Sequence, residues 1–402
     1  MPSPPPTGPL GRDSSPAEAA AWLARNAVDA LPEGGLERKL ALGRPLRVKL
    51  GIDPTAPDIH LGFTVVLQKL REFQDLGHTV VLIVGDYTAR VGDPSGRSTT
   101  RPVLDPAEID ANARTFQEQA LKVLSAERLE VRHNSEWLDM SMAELFDLLR
   151  TTTVAQLLER DDFAKRFGAR EPISVLELLY PLLQGYDSVA IHADVELGGT
   201  DQKFNLLLGR DIQRAYGQPE QVILTVPLLT GTDGVRKMSK SFDNYIGVAE
   251  PPGEMYGKTL SIPDESLALW YSLLLGSEPP AELGPRDAKR ALARALVARF
   301  HDDSAANTAE EAFDRQFVRH EAPVEVPELS WPLDGAGAVH LPAVIAQAFG
   351  VSTSEARRAL AHGGVKIDGR PVANGSLDVE PAALDGKILQ LGKRRFVRVR
   401  VA

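Results

Sequence analysis

Two short stretches carry the residues most able to do chemistry. The first, DPTAPDIHLGF over 53–63, ends a Pro-rich turn in His60 and places Gly62 two positions later. The surrounding pattern predicts a strand before it and a helix after it. A helix N-terminus offers free backbone N–H groups and the positive end of a dipole, both suited to phosphate. His60 can hydrogen-bond phosphate oxygens as charge builds in a transition state, and Thr55 can add a hydroxyl. Gly62 leaves bare backbone against which a flat base can lie. The second stretch, GVRKMSKSFDN over 234–244, sets Lys237 and Lys240 three apart after a strand and a Gly-rich turn. Two ammonium groups on a mobile loop can close over a triphosphate and neutralise departing pyrophosphate. A lone histidine before a helix is more often a structural hydrogen-bonder, but both stretches in this order favour a nucleotide site. Phe63 stands where a second polar group would suit that site better.

The elements that must position these residues are readable from periodicity. PLRVKLGID (45–53) predicts a short buried strand, HLGFTVVLQKLREFQDLG (60–77) a helix closed by Gly77, and HTVVLIVGD (78–86) a central parallel strand. Strand, helix and strand in this span make a βαβ unit. The alternation returns with SVAIHADVELGG (188–199) as strand then turn, DQKFNLLLGRDIQRAYG (201–217) as helix and QVILTVP (221–227) as strand, while 106–170 reads as mostly helical. The expected fold class is α/β, an open doubly wound, Rossmann-like parallel sheet whose ligands sit past the carboxyl ends of the strands. The expected domain plan is an N-terminal tail and lead-in over 1–30 and a catalytic domain over 31–245. A helical domain over 246–322, a Pro-rich linker over 323–337 and a small α+β module over 338–402 complete it.

Composition narrows the class. The 402 residues are 43% hydrophobic and 25% charged, ordinary for a globular protein, with no cysteine for disulfides, thiolate catalysis or thiolate metal sites. The Pro- and Ser-rich start is not a secretory signal, and no apolar run approaches the ~20 residues that span a bilayer, so a cytoplasmic protein is expected. The net charge of −10 argues against a general nucleic-acid binder. Residues 338–402, however, hold ten Lys/Arg against five Asp/Glu, so this end is +5 and the remainder −15. A basic end on an acidic body suggests a module with a polyanionic partner.

Two further stretches fit a small substrate beside the nucleotide. LLYPLLQGYD places Tyr180, Gln184 and Asp187 at i, i+4 and i+7 on one helical face, a polar pocket for a small zwitterion. In ELGGTDQ (196–202), Asp201 can accept from ribose hydroxyls and Gln202 can reach a carboxylate. Asp201 also reads as a helix N-cap, and both roles can hold at once.

DPTAPDIHLG, GDPSGRS, YPLLQGYD, GGTDQKFN and KMSKS occur in this order, and from about residue 30 to its end the chain resembles the class I aminoacyl-tRNA synthetases. Within them it resembles the bacterial tyrosyl-tRNA synthetases. The resemblance implies that L-tyrosine is activated with Mg2+-bound ATP to tyrosyl-adenylate and passed to tRNA(Tyr). It also implies a homodimer, with no tightly bound cofactor and no protein-held metal. Carried over residue by residue, His60, Thr55, Lys237 and Lys240 stabilise the reacting phosphates, with Asp53, Gly62, Asp201, Arg97 and Arg101 on the ATP side. Tyr180, Gln184 and Asp93 hold the α-ammonium, Gln202 reaches the carboxylate, and Asp187 meets the phenol hydroxyl. That last contact rejects phenylalanine by leaving a buried polar group unpaired, a rule whose own worked case is tyrosyl-tRNA synthetase. The helical domain corresponds to an anticodon-binding domain. The basic end resembles an RNA-binding module shared with a ribosomal small-subunit protein, with Arg357, Arg358, Lys393, Arg394 and Arg395 as phosphate contacts.

Two positions depart from the family. Phe63 replaces the second histidine of the first motif, so weaker ATP binding is expected. Lys49 stands where one branch has a tyrosine that bonds the substrate phenol, which leaves the second phenol partner unassigned. The alternatives are a tryptophan-specific sister enzyme, opposed by Asp187 and the DPTAPD turn, and a weakened paralogue that binds structured RNA, supported by Phe63.

Overall fold

The computed structural model describes residues 11, 14–54, 58–94, 105–319, 326–332, 337–373, 375–392 and 395–402. Thr55, Arg97, Arg101, Lys393 and Arg394 lie outside the described residues. The chain divides into two compact units, Met1–Glu250 with Ser261–Lys289, and Pro251–Leu260 with Arg290–Ala402. The span expected as one helical domain, 246–322, is thus shared between them. No helix among the described residues is long and apolar enough to cross a membrane.

The first unit is built on six strands: β1 (Asp29–Leu31), β2 (Arg47–Ile52), β3 (Thr79–Val84), β4 (Leu129–His133), β5 (Val195–Gly199) and β6 (Val222–Val226), in the order β1-β6-β5-β2-β3-β4. All pairs are parallel except β1 against β6. Val48, Val80, Val81 and Ile83 are fully buried, as expected for strands with helices on both faces. β2 has its sequence neighbour β3 on one side and β5 on the other. The strand order reverses there, and a crevice opens past the carboxyl ends of β2 and β5. The helix Leu61–Asp75 follows β2, and the helices Val175–Ala190 and Lys203–Ala215 flank β5 in sequence.

Several local expectations are corrected. β4 lies inside the stretch expected to be helical, because its alternating charges, Glu130 and Arg132, mask a half-buried edge strand; Glu130 pairs with Arg47 at 2.8 Å. Residues 188–190 end a helix rather than begin a strand, and β5 starts only at Val195. Part of the lead-in is built into the fold. Ser15 and Glu18 form a capping box that starts the helix Pro16–Ala24, which buries Trp22 and Leu23, and β1 then joins the sheet edge.

The second unit contains the helix Pro252–Leu260 and the helix Asp303–Phe313; Glu310 of the latter accepts from Tyr256 of the former and, with Asp314, pairs with Arg290. Its sheets comprise β7 (Glu328–Trp331), β8 (Val339–His340), β9 (Val365–Ile367), β10 (Arg370–Pro371), β11 (Asp378–Val379), β12 (Ile388–Leu391) and β13 (Arg395–Val401). Five of these form a sheet in the order β10-β9-β12-β13-β7, while β8 pairs with β11. The expected linker therefore contributes a strand: β7 runs parallel to β13, and Leu329 and Trp331 pack on the core formed by Val344, Ile345, Leu389 and Val399. The alternation in ELSW, apolar at every second position, is the signal that the flanking prolines obscured.

Replacing Leu329 with Asp, which puts a charge against that core, should destabilise the second unit by about 1–3 kcal/mol. The urea midpoint checks this; an unchanged midpoint would mean that β7 is not part of the core.

Candidate active site

A cavity of about 910 Å³ opens at the carboxyl ends of β2 and β5. It gathers every described residue that the sequence assigned to ATP or tyrosine: Asp53, His60, Gly62, Asp93, Tyr180, Gln184, Asp187, Asp201, Gln202, Lys237 and Lys240.

The phosphate-side residues come from two loops. His60 precedes the helix Leu61–Asp75 in extended conformation. Its backbone bridges Gly247, and the Leu61 N–H donates to the Ile246 carbonyl. The Gly62 N–H faces the Met238 sulfur at 3.3 Å. The helix end is therefore less open than the sequence suggested, although thioether sulfur is a weak acceptor. A Cβ on Gly62 would lie 3.0 Å from the His60 ring, so any larger residue would oblige that ring to shift by a few tenths of an ångström. The His60 ring packs on Phe63 with centroids 4.7 Å apart, and Phe63 meets Phe116 edge-on at 6.0 Å. Burial, reinforced by the Lys240 and Lys237 charges, pushes the His60 imidazole down to about 3. It is neutral at physiological pH, and its Nδ1 has no hydrogen-bond partner among the described residues.

The KMSKS segment lies against this end. Lys237 Nζ sits 2.6 Å from Asp201 Oδ2, and Lys240 Nζ 3.6 Å from Asp58 Oδ2. Burial lowers the Lys240 ammonium from its usual range, with Asp58 opposing the shift. Asn244 holds the loop by accepting from the Ser239 N–H and donating to Asp233. Asp201 thus spends its carboxylate on Lys237 and not on a helix cap.

The residues expected to hold tyrosine are polar groups satisfied by one another and by their neighbours. Tyr180 donates to Asp53 Oδ2 at 3.0 Å, and Thr88 donates to Asp53 Oδ1 at 2.8 Å. Asp53, expected with the nucleotide, is thus hydrogen-bonded to Tyr180, which was expected with tyrosine. Gly85 makes room for this carboxylate, because a Cβ there would fall 2.2 Å from Asp53 Oδ1. Gln202 donates to Asp93 at 2.9 Å, Asn205 donates to Gln184 and Gln202, and Arg160 donates to Asn205 while pairing with Asp93 at 3.6 Å. Asp187, 2% exposed, accepts from Trp137 Nε1 at 2.8 Å. Burial pushes its carboxyl up to about 7, against the Lys49 charge and the Trp137 N–H, which hold it down. Burial beside Asp53 and Asp93 raises the Tyr180 hydroxyl, so it is a donor and never an anion here. Thr88, Asn134, Trp137, Arg160 and Asn205 were missed in the sequence. Thr88, Asn134, Trp137 and Arg160 reach their partners across long stretches of chain, whereas Asn205 lies three residues from Gln202 within the GGTDQKFN stretch, where that spacing was a signal.

In the second unit Arg357, Arg358 and Arg395 are exposed, the first two on the helix Thr353–Ala361 and the third at the start of β13.

The comparisons with known proteins agree with this geometry. The family model described as "tRNA synthetases class I (W and Y)" matches residues 41–318, and the S4 domain model matches 341–383. A tyrosine–tRNA ligase of Moorella thermoacetica is 53% identical over 395 residues, covering 94% of each chain. One of Thermotoga maritima is 50% identical over 399 residues, covering 96% of this chain and 98% of its own. The crystal structure of tyrosyl-tRNA synthetase from Aeropyrum pernix superposes with a TM-score of 0.60, covering 75% of this chain and 99% of its own; at 21% identity it speaks for the fold alone. With the motifs, the switch-point cavity and these identities together, the chain belongs to the bacterial tyrosyl-tRNA synthetases, class I enzymes that here carry an S4 domain.

Proposed function

We propose that this cavity performs both steps of tyrosine–tRNA ligation, with roles divided between its two halves. The observation that carries the reading is that one cavity is lined by His60, Lys237 and Lys240 together with Tyr180, Gln184 and Asp187. Tyr180, Gln184 and Asp93 take the ammonium of tyrosine, Gln202 its carboxylate, and Asp187 its phenol hydroxyl. ATP enters as its magnesium complex, with its ribose at Asp201 and its base against Gly62.

The amino-acid carboxylate, already ionised, attacks the α-phosphorus. The bond to the bridging oxygen breaks, and pyrophosphate leaves with that electron pair. No general base is required. The work is positioning and charge stabilisation. Neutral His60 contributes a hydrogen bond, and Lys237 and Lys240 contribute charge. Thr55, Arg97 and Arg101 belong to the same group by their motif positions. A hydroxyl at the tRNA 3′ end then attacks the adenylate carbonyl and releases AMP. Arg357, Arg358, Lys393, Arg394 and Arg395 contact the tRNA backbone. A homodimer in the cytoplasm completes the reading; exposed Met142, Phe146, Val154, Phe167, Val175 and Leu176 lie on consecutive helices and support a self-associating face.

Tyrosine-dependent exchange of labelled pyrophosphate into ATP tests the whole. Exchange supported by tryptophan and not tyrosine would favour the sister specificity, and RNA binding without exchange the weakened paralogue. Lys240→Ala should lower the exchange rate by about 10²–10³ while tyrosine affinity stays within about twofold, the signature of a group that acts on the transition state. Equal loss of both would overturn that role. Phe63→His restores a polar group beside His60. A hydrogen bond to a charged phosphate contributes about 1.5–3 kcal/mol, so the ATP KM should fall by about ten- to a hundredfold. An unchanged KM would show that the aromatic contact costs nothing in ATP binding.

A further inference from the structure

Lys49 is a charged side chain in the middle of β2 with no exposed surface, and the mechanism above does not use it. Its ammonium lies 2.8 Å from the Gln184 carbonyl, 2.8 Å from Ser188 Oγ and 2.9 Å from Glu196 Oε1. Glu196, on β5 and 1% exposed, also accepts from Ser188 and from Gln221. One cation therefore joins β2 and β5 to the turn of the helix Val175–Ala190 that carries Gln184 and Asp187. It cannot also bond a phenol, since its three N–H groups have three partners.

We propose that Lys49 is a specificity-determining positioning residue: with Glu196 it fixes the helical turn that presents Asp187, and its ammonium holds Asp187 in the state that accepts the phenol proton. This rests on the reading that Asp187 meets the phenol. The groups facing Asp187 are Lys49 from β2, Glu196 from β5, Trp137 and Asn134 from the segment after β4, and Tyr180 from its own helix. Burial works against the carboxylate, Glu196 adds to that push, and Lys49 is the one cation among these groups opposing it. With a carboxyl at about 7, the anion forms as pH rises through neutrality. Phenylalanine would leave that anion buried without its partner, which costs more than leaving a neutral carboxyl unpaired. Preference for tyrosine therefore increases with pH and levels above neutrality. Without the Lys49 charge, that rise moves to higher pH.

The test is the tyrosine-to-phenylalanine ratio of kcat/KM in pyrophosphate exchange from pH 6 to 9, for the full chain. Lys49→Met should lower the ratio about tenfold at pH 7.5 and move the midpoint of its rise upward by about one pH unit. This variant strands Glu196 as a buried anion and is the one at risk of misfolding. The paired Lys49→Met/Glu196→Gln variant removes both charges, and its midpoint should lie between those of the parent and the single variant. A parental midpoint in the paired variant, or an equal loss for both amino acids at every pH, would overturn the proposal. Asp187→Asn separates the two readings: if the ratio does not change in that variant, the phenol assignment fails before Lys49 is in question.

Discussion

The buried pair of Lys49 and Glu196 is the interaction on which the tyrosine half of the cavity depends. Neither charge reaches water, so each must be satisfied by the chain itself. The satisfying groups are the Gln184 carbonyl, Ser188 and Gln221, which come from one helix and the lead-in to β6. The geometry of the substrate helix thereby becomes a condition of burying the charge. A hydrophobic pair could fill the same space, but it would not fix which turn of the helix faces the crevice or supply a field at Asp187.

The nucleotide half is organised differently. Its charged groups are partly exposed and belong to loops, and its one histidine is neutral because burial and two ammonium groups forbid a third cation. Phe63 fits that arrangement. It packs on a ring that carries no charge, and it links the first turn of the helix to Phe116. The substitution thus trades a polar contact for an aromatic one without disturbing His60 or Gly62, which is why the rest of the motif keeps its geometry.

Much of the site was legible in the sequence because its residues come in short contiguous motifs at the ends of strands. His60 and Gly62, Lys237 and Lys240, Asp201 and Gln202 each sit within a few positions of one another, and the sheet brings the motifs to one crevice. What stayed hidden is long-range. Arg160 reaches Asp93 and Asn205 from another part of the chain, and Trp137 reaches Asp187 across 50 residues. No periodicity encodes such pairs. β4 and β7 were missed for a related reason: charged or proline-flanked residues mark an edge strand, whose stability comes from its neighbour and not from its own pattern. Asp53 was placed on the ATP side because of its motif, and its hydrogen bonds from Tyr180 and Thr88 are links of the same long-range kind.

The ion pair between Lys237 and Asp201 bears on how the enzyme lets go of its products. In the role proposed for Lys237, an ammonium with no partner would hold pyrophosphate as firmly as it stabilises its departure. Asp201 stands 2.6 Å away, so Lys237 would leave one carboxylate to meet the phosphate and return to it once the charge has left. Only the difference between those two contacts would count toward affinity for the polyphosphate.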